Sequence, residues 1–88
     1  MKYERINGIL VTAPIRMPRN NKGEITCKLF LHNDFIRHEK PLKAAGIIAD
    51  EAIKELRAGD YVEAICHENK KYYIVDLLLR KGKHKKGA

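Results

Sequence analysis

Apolar and polar positions alternate along this chain with two different periods, and the change between them marks its organising stretch. From residue 49 to 58 the apolar residues Ala49, Ala52, Ile53 and Leu56 recur at spacings of three and four, the spacing of one helical face. This pattern predicts a short amphipathic helix over 49–58, with Asp50 as its N-cap and Gly59 as the glycine that ends it. After Gly59-Asp60 the period becomes two. Val62, Ala64 and Cys66 alternate with Tyr61, Glu63 and Ile65, which predicts a strand with one face inward. A single helix turned into a strand, with further strands on both sides in sequence, predicts a small barrel whose open end the helix plugs.

The other strands follow from the same alternation. Residues 3–17 read as a first strand, with Gly8 marking a bend or bulge and Pro14 interrupting its pairing. Pro18 to Gly23 has loop chemistry and closes a hairpin longer than two residues. Residues 24–33 form the second strand. Ile25, Cys27, Leu29 and Leu31 are expected inward, and Thr26, Lys28, Phe30 and His32 outward. Residues 34–40 make a polar connection. The third strand, 42–48, is rich in alanine and holds a glycine, which suit strands poorly; the alternative is a helix starting near Leu42. Gly46 and two isoleucines ahead of Asp50 favour the strand. A turn at 68–71 leads to the last strand, with Tyr73, Val75, Leu77 and Leu79 expected inward and Tyr72, Ile74 and Asp76 outward. The expected core is Leu10, Ile25, Leu29, Leu31, Ile53, Leu56, Val62, Val75 and Leu77.

Composition narrows this to one domain. A chain of 88 residues can bury one modest core. Residues 1–79 are expected to be that domain, and 80–88 a basic disordered tail without an apolar residue to bury. No run is long and apolar enough to span a bilayer and no signal peptide is recognisable, so a cytoplasmic protein without membrane contact is expected. Cys27 and Cys66 fall at inward strand positions and read as two small buried hydrophobes in a reducing compartment.

The net charge of +7 is unevenly placed. Residues 1–49 carry a surplus of five cations, residues 50–79 a deficit of three, and the tail five cations with no acid. Such polarity suits a phosphate-rich partner approached from one side, although a solvated lysine tail would give part of the same pattern. No histidine or cysteine spacing resembles a zinc ligand pair, so neither a metal nor another cofactor is expected. Cys66 and His67 are strand neighbours facing opposite ways, which excludes a nucleophile–base dyad between them. An enzyme is not expected.

Strand–strand–strand–helix–strand–strand is the order of the OB-fold, an all-β five-stranded antiparallel barrel with one short helix between strands three and four. Gly8-Ile9-Leu10 followed by Pro14 and Arg16 resembles the first strand of the bacterial single-stranded-DNA-binding proteins and the related PriB primosome protein. Gly23 before the alternating second strand that ends at Asn33 is similar to their first hairpin. Gly46, the alanine-rich helix and Gly59 are similar in spacing to their third strand and helix. The likeness covers about residues 3–79. Two features depart from it: the chain has no tryptophan to stack on bases, and it ends in lysines rather than an acidic tip.

Binding a single strand requires a basic groove for phosphates and exposed rings for bases. The candidates are Arg16, Arg19 and Lys22 on the first hairpin, with Lys28, Phe30 and His32 on the outer face of strand two. Phe35, Arg37 and Lys40 follow in the connection, and Lys70, Lys71 and Tyr72 sit on the last hairpin as the opposite wall. Lys81, Lys83, Lys85 and Lys86 in the tail would add phosphate contacts. Phe30 shares a polar face, so either another part of the protein covers it or it is a platform for a ligand. The expected function is therefore non-catalytic, sequence-tolerant binding of single-stranded nucleic acid, DNA more than RNA, in replication, recombination or a mobile element. The alternative is an OB-fold interaction subunit of a larger nucleoprotein assembly. A homo-oligomer or a replication or recombination protein is a possible partner.

Overall fold

The computed structural model describes residues 2–32 and 40–83, the side chains of 80–83 excepted. Strands β1 (Tyr3–Leu10), β2 (Ile15–Met17), β3 (Thr26–Leu29), β4 (Leu31–His32) and β5 (Leu42–Ala45) precede helix α1 (Gly46–Glu55). Strands β6 (Asp60–Glu68) and β7 (Tyr73–Lys83) follow it. The architecture is an OB-fold, with two of the five expected strands each split in two. Val11 to Ala13 and Pro14 separate β1 from β2, and Phe30 separates β3 from β4.

The ladder runs β2-β3-β5-β7-β6-β1-β4 and is not a closed ring. Its two ends meet through the chain itself, because β3 and β4 are halves of one segment. At the break, the Phe30 carbonyl accepts a hydrogen bond of 2.8 Å from the Val11 N–H. The segment thus pairs with β2 and β5 on one side of the break and with β1 on the other. One pairing departs from the expected antiparallel barrel: β5 and β7 run parallel.

Gly8 makes the crossing at β1 possible. It opposes Val62 on β6, and a Cβ placed on it would lie 2.5 Å from the His32 carbonyl oxygen. No real side chain fits there. Gly8→Val should therefore force β4 away from β1 and cost about 1–3 kcal/mol, as overpacking does. Thermal melting followed by circular dichroism should show a lower midpoint; an unchanged midpoint would mean that β4 is not held against β1.

The helix starts earlier than the sequence predicts. β5 ends at Ala45, where Gly46 adopts φ +66 and donates its N–H to the Ile25 carbonyl at 2.8 Å. That left-handed turn, open to glycine at little cost, starts α1 at once. Asp50 is therefore inside the helix and not its cap, and its carboxylate pairs with Lys54 at 3.0 Å. The helix ends before Leu56, and Gly59 (φ +92) serves the following turn rather than the helix end. Its N–H donates to the Leu10 carbonyl at 2.8 Å. The expected inward face holds: Ala49, Ala52 and Leu56 are buried and Ile53 packs against the core.

Ile6, Leu10, Cys27, Leu29, Leu42, Ala44, Val62, Ala64, Cys66 and Val75 complete the buried core, with Ile25 and Leu31 packed against it. Leu77 does not belong to it. Register shifts in the β6–β7 pairing leave Asp76 and Leu79 without partners, since Cys66 opposes Val75, Ile65 opposes Leu77 and Glu63 opposes Arg80. An extra residue inverts the alternation beyond it. Leu78 consequently turns inward, and Leu77 and Leu79 are 53% and 41% exposed.

The tail boundary also moves. β7 continues past Leu79 to Lys83, which opposes Asp60, so residues 80–83 are part of the sheet. Residues 84–88 lie outside the described set. Both cysteines are free and buried. Burial pushes the Cys27 thiol up to about 11. Burial, with the Asp76 and Glu4 carboxylates nearby, pushes Cys66 up to about 12. Both thiols stay protonated at neutral pH, as inert core residues do.

Candidate functional site

The outer face of β3 and β5 brings several of the candidate residues together. In their antiparallel register Lys28 opposes Lys43, and both alternate with core residues, Cys27 and Leu29 on one strand, Leu42 and Ala44 on the other. Both lysines therefore point outward. β7 lies beside β5, with Ile74 opposite Lys43, and Tyr72 precedes Ile74 by two residues on the same face. The Tyr72 ring comes within cation–π range of both ammonium groups, 5.8 Å from Lys28 Nζ and 5.2 Å from Lys43 Nζ.

The hairpin turn that presents Tyr72 is firmly built. The Asn69 side-chain carbonyl accepts N–H bonds from Lys71 at 2.9 Å and Tyr72 at 2.7 Å. The Asn69 N–H donates to the Tyr72 carbonyl at 2.8 Å. Lys40 holds the base of the hairpin: its ammonium pairs with Glu68 and donates to the Asn69 carbonyl at 2.8 Å. Lys40 is thus already paired at the protein surface, with Glu68 and the Asn69 carbonyl.

Phe30 and His32 continue the outer face beyond Lys28. Cys27 and Leu29 are buried and Leu31 packs against the core, so the expected faces of the second strand hold through its break. Phe30 is 37% exposed, neither sealed nor fully in solvent. Thr26 is the exception on this face, buried with its hydroxyl donating to the Pro18 carbonyl at 2.9 Å. Tyr73 packs against the core, as expected.

The two hairpins flank this face from opposite ends of β3. The turn at Asn69–Tyr72 lies beyond its Leu29 end and the 18–25 loop beyond its Thr26 end, as the pairings of Leu42 and Met17 require. The loop is tied by its own polar groups. Asn20 Oδ1 accepts from the N–H groups of Lys22 and Glu24, and Arg19 Nη1 donates to the Gly23 carbonyl at 2.7 Å. Lys22, Lys70 and Lys71 are exposed at these tips.

Not every candidate joins the cluster. Arg16 opposes Cys27 and so lies on the opposite face of the sheet from Lys28. Arg19 borders an open surface depression with Glu24, Ile25, Gly46, Ile47 and Asp50, next to the start of α1. Phe35, Arg37, Lys85 and Lys86 lie outside the described residues. Lys81 and Lys83 are strand residues of β7, with side chains outside the description. Lys43 is the residue that sequence reasoning missed. Its alternation with Leu42 and Ala44 was visible, but its partnership with Lys28 and Tyr72 depends on the β3–β5–β7 register.

No group of three or more His, Cys, Asp or Glu is placed to share a metal ion among the described residues. Among the same residues, no helix is long and apolar enough to cross a membrane. No protein-family model and no curated protein sequence matches the chain. Solved structures do match. One is a crystal structure of a deletion mutant of the single-stranded DNA-binding protein from Thermus aquaticus, 19% identical, with a TM-score of 0.69. The match covers 100% of this chain and 43% of that one, so this chain spans less than half the length of its structural relative. At that identity the likeness establishes the shared OB-fold.

Proposed function

We propose that this protein binds single-stranded DNA, without catalysis and with little regard to sequence, along the outer face of β3 and β5. The observation that carries the reading is the cluster of Lys28, Lys43 and Tyr72. Two ammonium groups lie over one half-exposed ring, so charge for phosphates and an aromatic side chain for a base share one patch, the pair of features a single strand needs. Phe30 and His32 extend the surface on one side, and Lys22, Lys70 and Lys71 at the flanking tips attract the phosphate backbone without reading bases. The Thermus aquaticus protein, whose name states what it binds, supports the choice of single-stranded DNA. Replication, recombination or a mobile element is the proposed setting.

The test is a fluorescence-anisotropy titration with matched single-stranded DNA, single-stranded RNA and duplex at two salt concentrations. Tightest binding to single-stranded DNA, weakening as salt rises, is expected. Equal affinity for duplex, or no binding at low salt, would overturn the proposal. A second reading, an OB-fold interaction subunit, draws on Leu77 and Leu79, which are exposed on β7. It would gain ground if all three nucleic acids failed to bind.

A further inference from the structure

The face that carries Lys43 and Tyr72 does not stop at β7. Lys43 opposes Ile74, Ile74 opposes His67 on β6, and His67 opposes Tyr3 on β1. Residues directly opposite one another across strands share a face, so this row continues outward over three strand spacings, about 14 Å. At its far end Tyr3 is 58% exposed. Its ring and that of His67 form a T-shaped pair, with centroids 6.3 Å apart and planes at 88°.

The His67 ring is held in place from the other side. Its Nδ1 lies 2.7 Å from the Asp76 carboxylate. Asp76 is the unpaired residue of the first register shift in β7, and a bulge is a device that re-aims a side chain. The bulge that removes Leu77 from the core thus accompanies a His67 ring bonded to Asp76 and in contact with Tyr3. Arg5, two residues from Tyr3 on the same face, is largely exposed with its guanidinium 3.5 Å from Glu63.

We propose that Tyr3, supported by His67, is a second stacking station for the same single strand. The strand would leave the Lys28–Lys43–Tyr72 cluster, cross β7 and β6, and place a further base on the Tyr3 ring with Arg5 near its phosphates. This rests on the single-strand binding proposed above and extends its footprint beyond the groove between the hairpins.

The experiment compares the full chain with Tyr3→Ala and Tyr3→Phe, using oligo-dT of about 5 and about 15 nucleotides, within the span that one OB-fold covers. Tyr3→Ala should bind the short strand like the unaltered protein and the long strand roughly tenfold more weakly. Tyr3→Phe, which keeps the ring, should restore the long-strand affinity. Equal binding of Tyr3→Ala and the unaltered protein at both lengths would overturn this inference and leave the proposed function standing. An equal loss at both lengths would also overturn it, because the ring would then belong to the first site. Failure of the unaltered protein to bind either strand would overturn both. Sedimentation velocity without DNA supplies the remaining control: an unaltered protein that self-associates and a Tyr3→Ala protein that does not would show a second copy covering the ring, which also overturns the inference.

Discussion

Leu29→Asp is expected to leave no cooperatively folded protein, while Phe30→Asp, one residue further on, should fold. Leu29 is fully buried and opposes the equally buried Leu42 across β3 and β5. An unpaired carboxylate there costs several kcal/mol against a total stability of about 5–15 kcal/mol. Aspartate at Phe30 would project from a partly exposed position at the strand break, where water can solvate it. Circular-dichroism melting of the two variants measures the difference directly. A cooperative melt for Leu29→Asp would mean that the two faces of this strand are assigned backwards.

That contrast was legible before the structure because Lys28 and His32 flank Leu29-Phe30-Leu31 at outward positions and fix the parity, although Thr26 on the outward face is buried. The break at Phe30 bends the strand without inserting a residue, so inward and outward positions keep their parity. β7 is different. The run Asp76-Leu77-Leu78-Leu79 offers apolar side chains at three successive positions, as Leu29-Phe30-Leu31 does, but here the pairing inserts residues and the parity changes within the run. Pairing with β6 decides where, and the shifts at Asp76 and Leu79 leave no trace in the period. The helix start was hidden for a similar reason. Asp50 has the chemistry of a cap, but the chain turns at Gly46, whose N–H finds the Ile25 carbonyl across the fold.

The same distinction separates the cations. Sequence shows which lysines alternate outward, and it shows nothing of which carboxylates stand beside them. Lys40 looked like a phosphate contact, yet Glu68 and Asn69 from the β6–β7 hairpin claim its ammonium. Lys43 looked like a polar residue on a weak strand, yet it completes the charge around Tyr72. In both cases the deciding partner lies more than twenty residues away in sequence.

Replacing both Lys28 and Lys43 by glutamine should separate charge from stacking in the proposed site. Each phosphate neutralised on a single strand contributes about 0.7 to the slope of log K against log salt, so loss of both lysines should flatten that slope by about 1.4. Tyr72→Ala should do the reverse: weaken binding by about 1–3 kcal/mol, the worth of one stacked base, with the slope unchanged because no charge is lost. Phe30→Ala should resemble Tyr72→Ala if its half-exposed ring meets a base, and should leave binding unchanged with a lower melting temperature if the ring is structural. Lys40→Ala supplies the contrast within the same hairpin. Its ammonium is already paired, so its loss should lower the melting temperature and leave the salt slope where it was. Anisotropy titrations across a salt series give all four slopes. If the double glutamine variant keeps the slope of the unaltered protein, phosphates do not pass over β3 and β5, and the site must be sought on another face of the barrel.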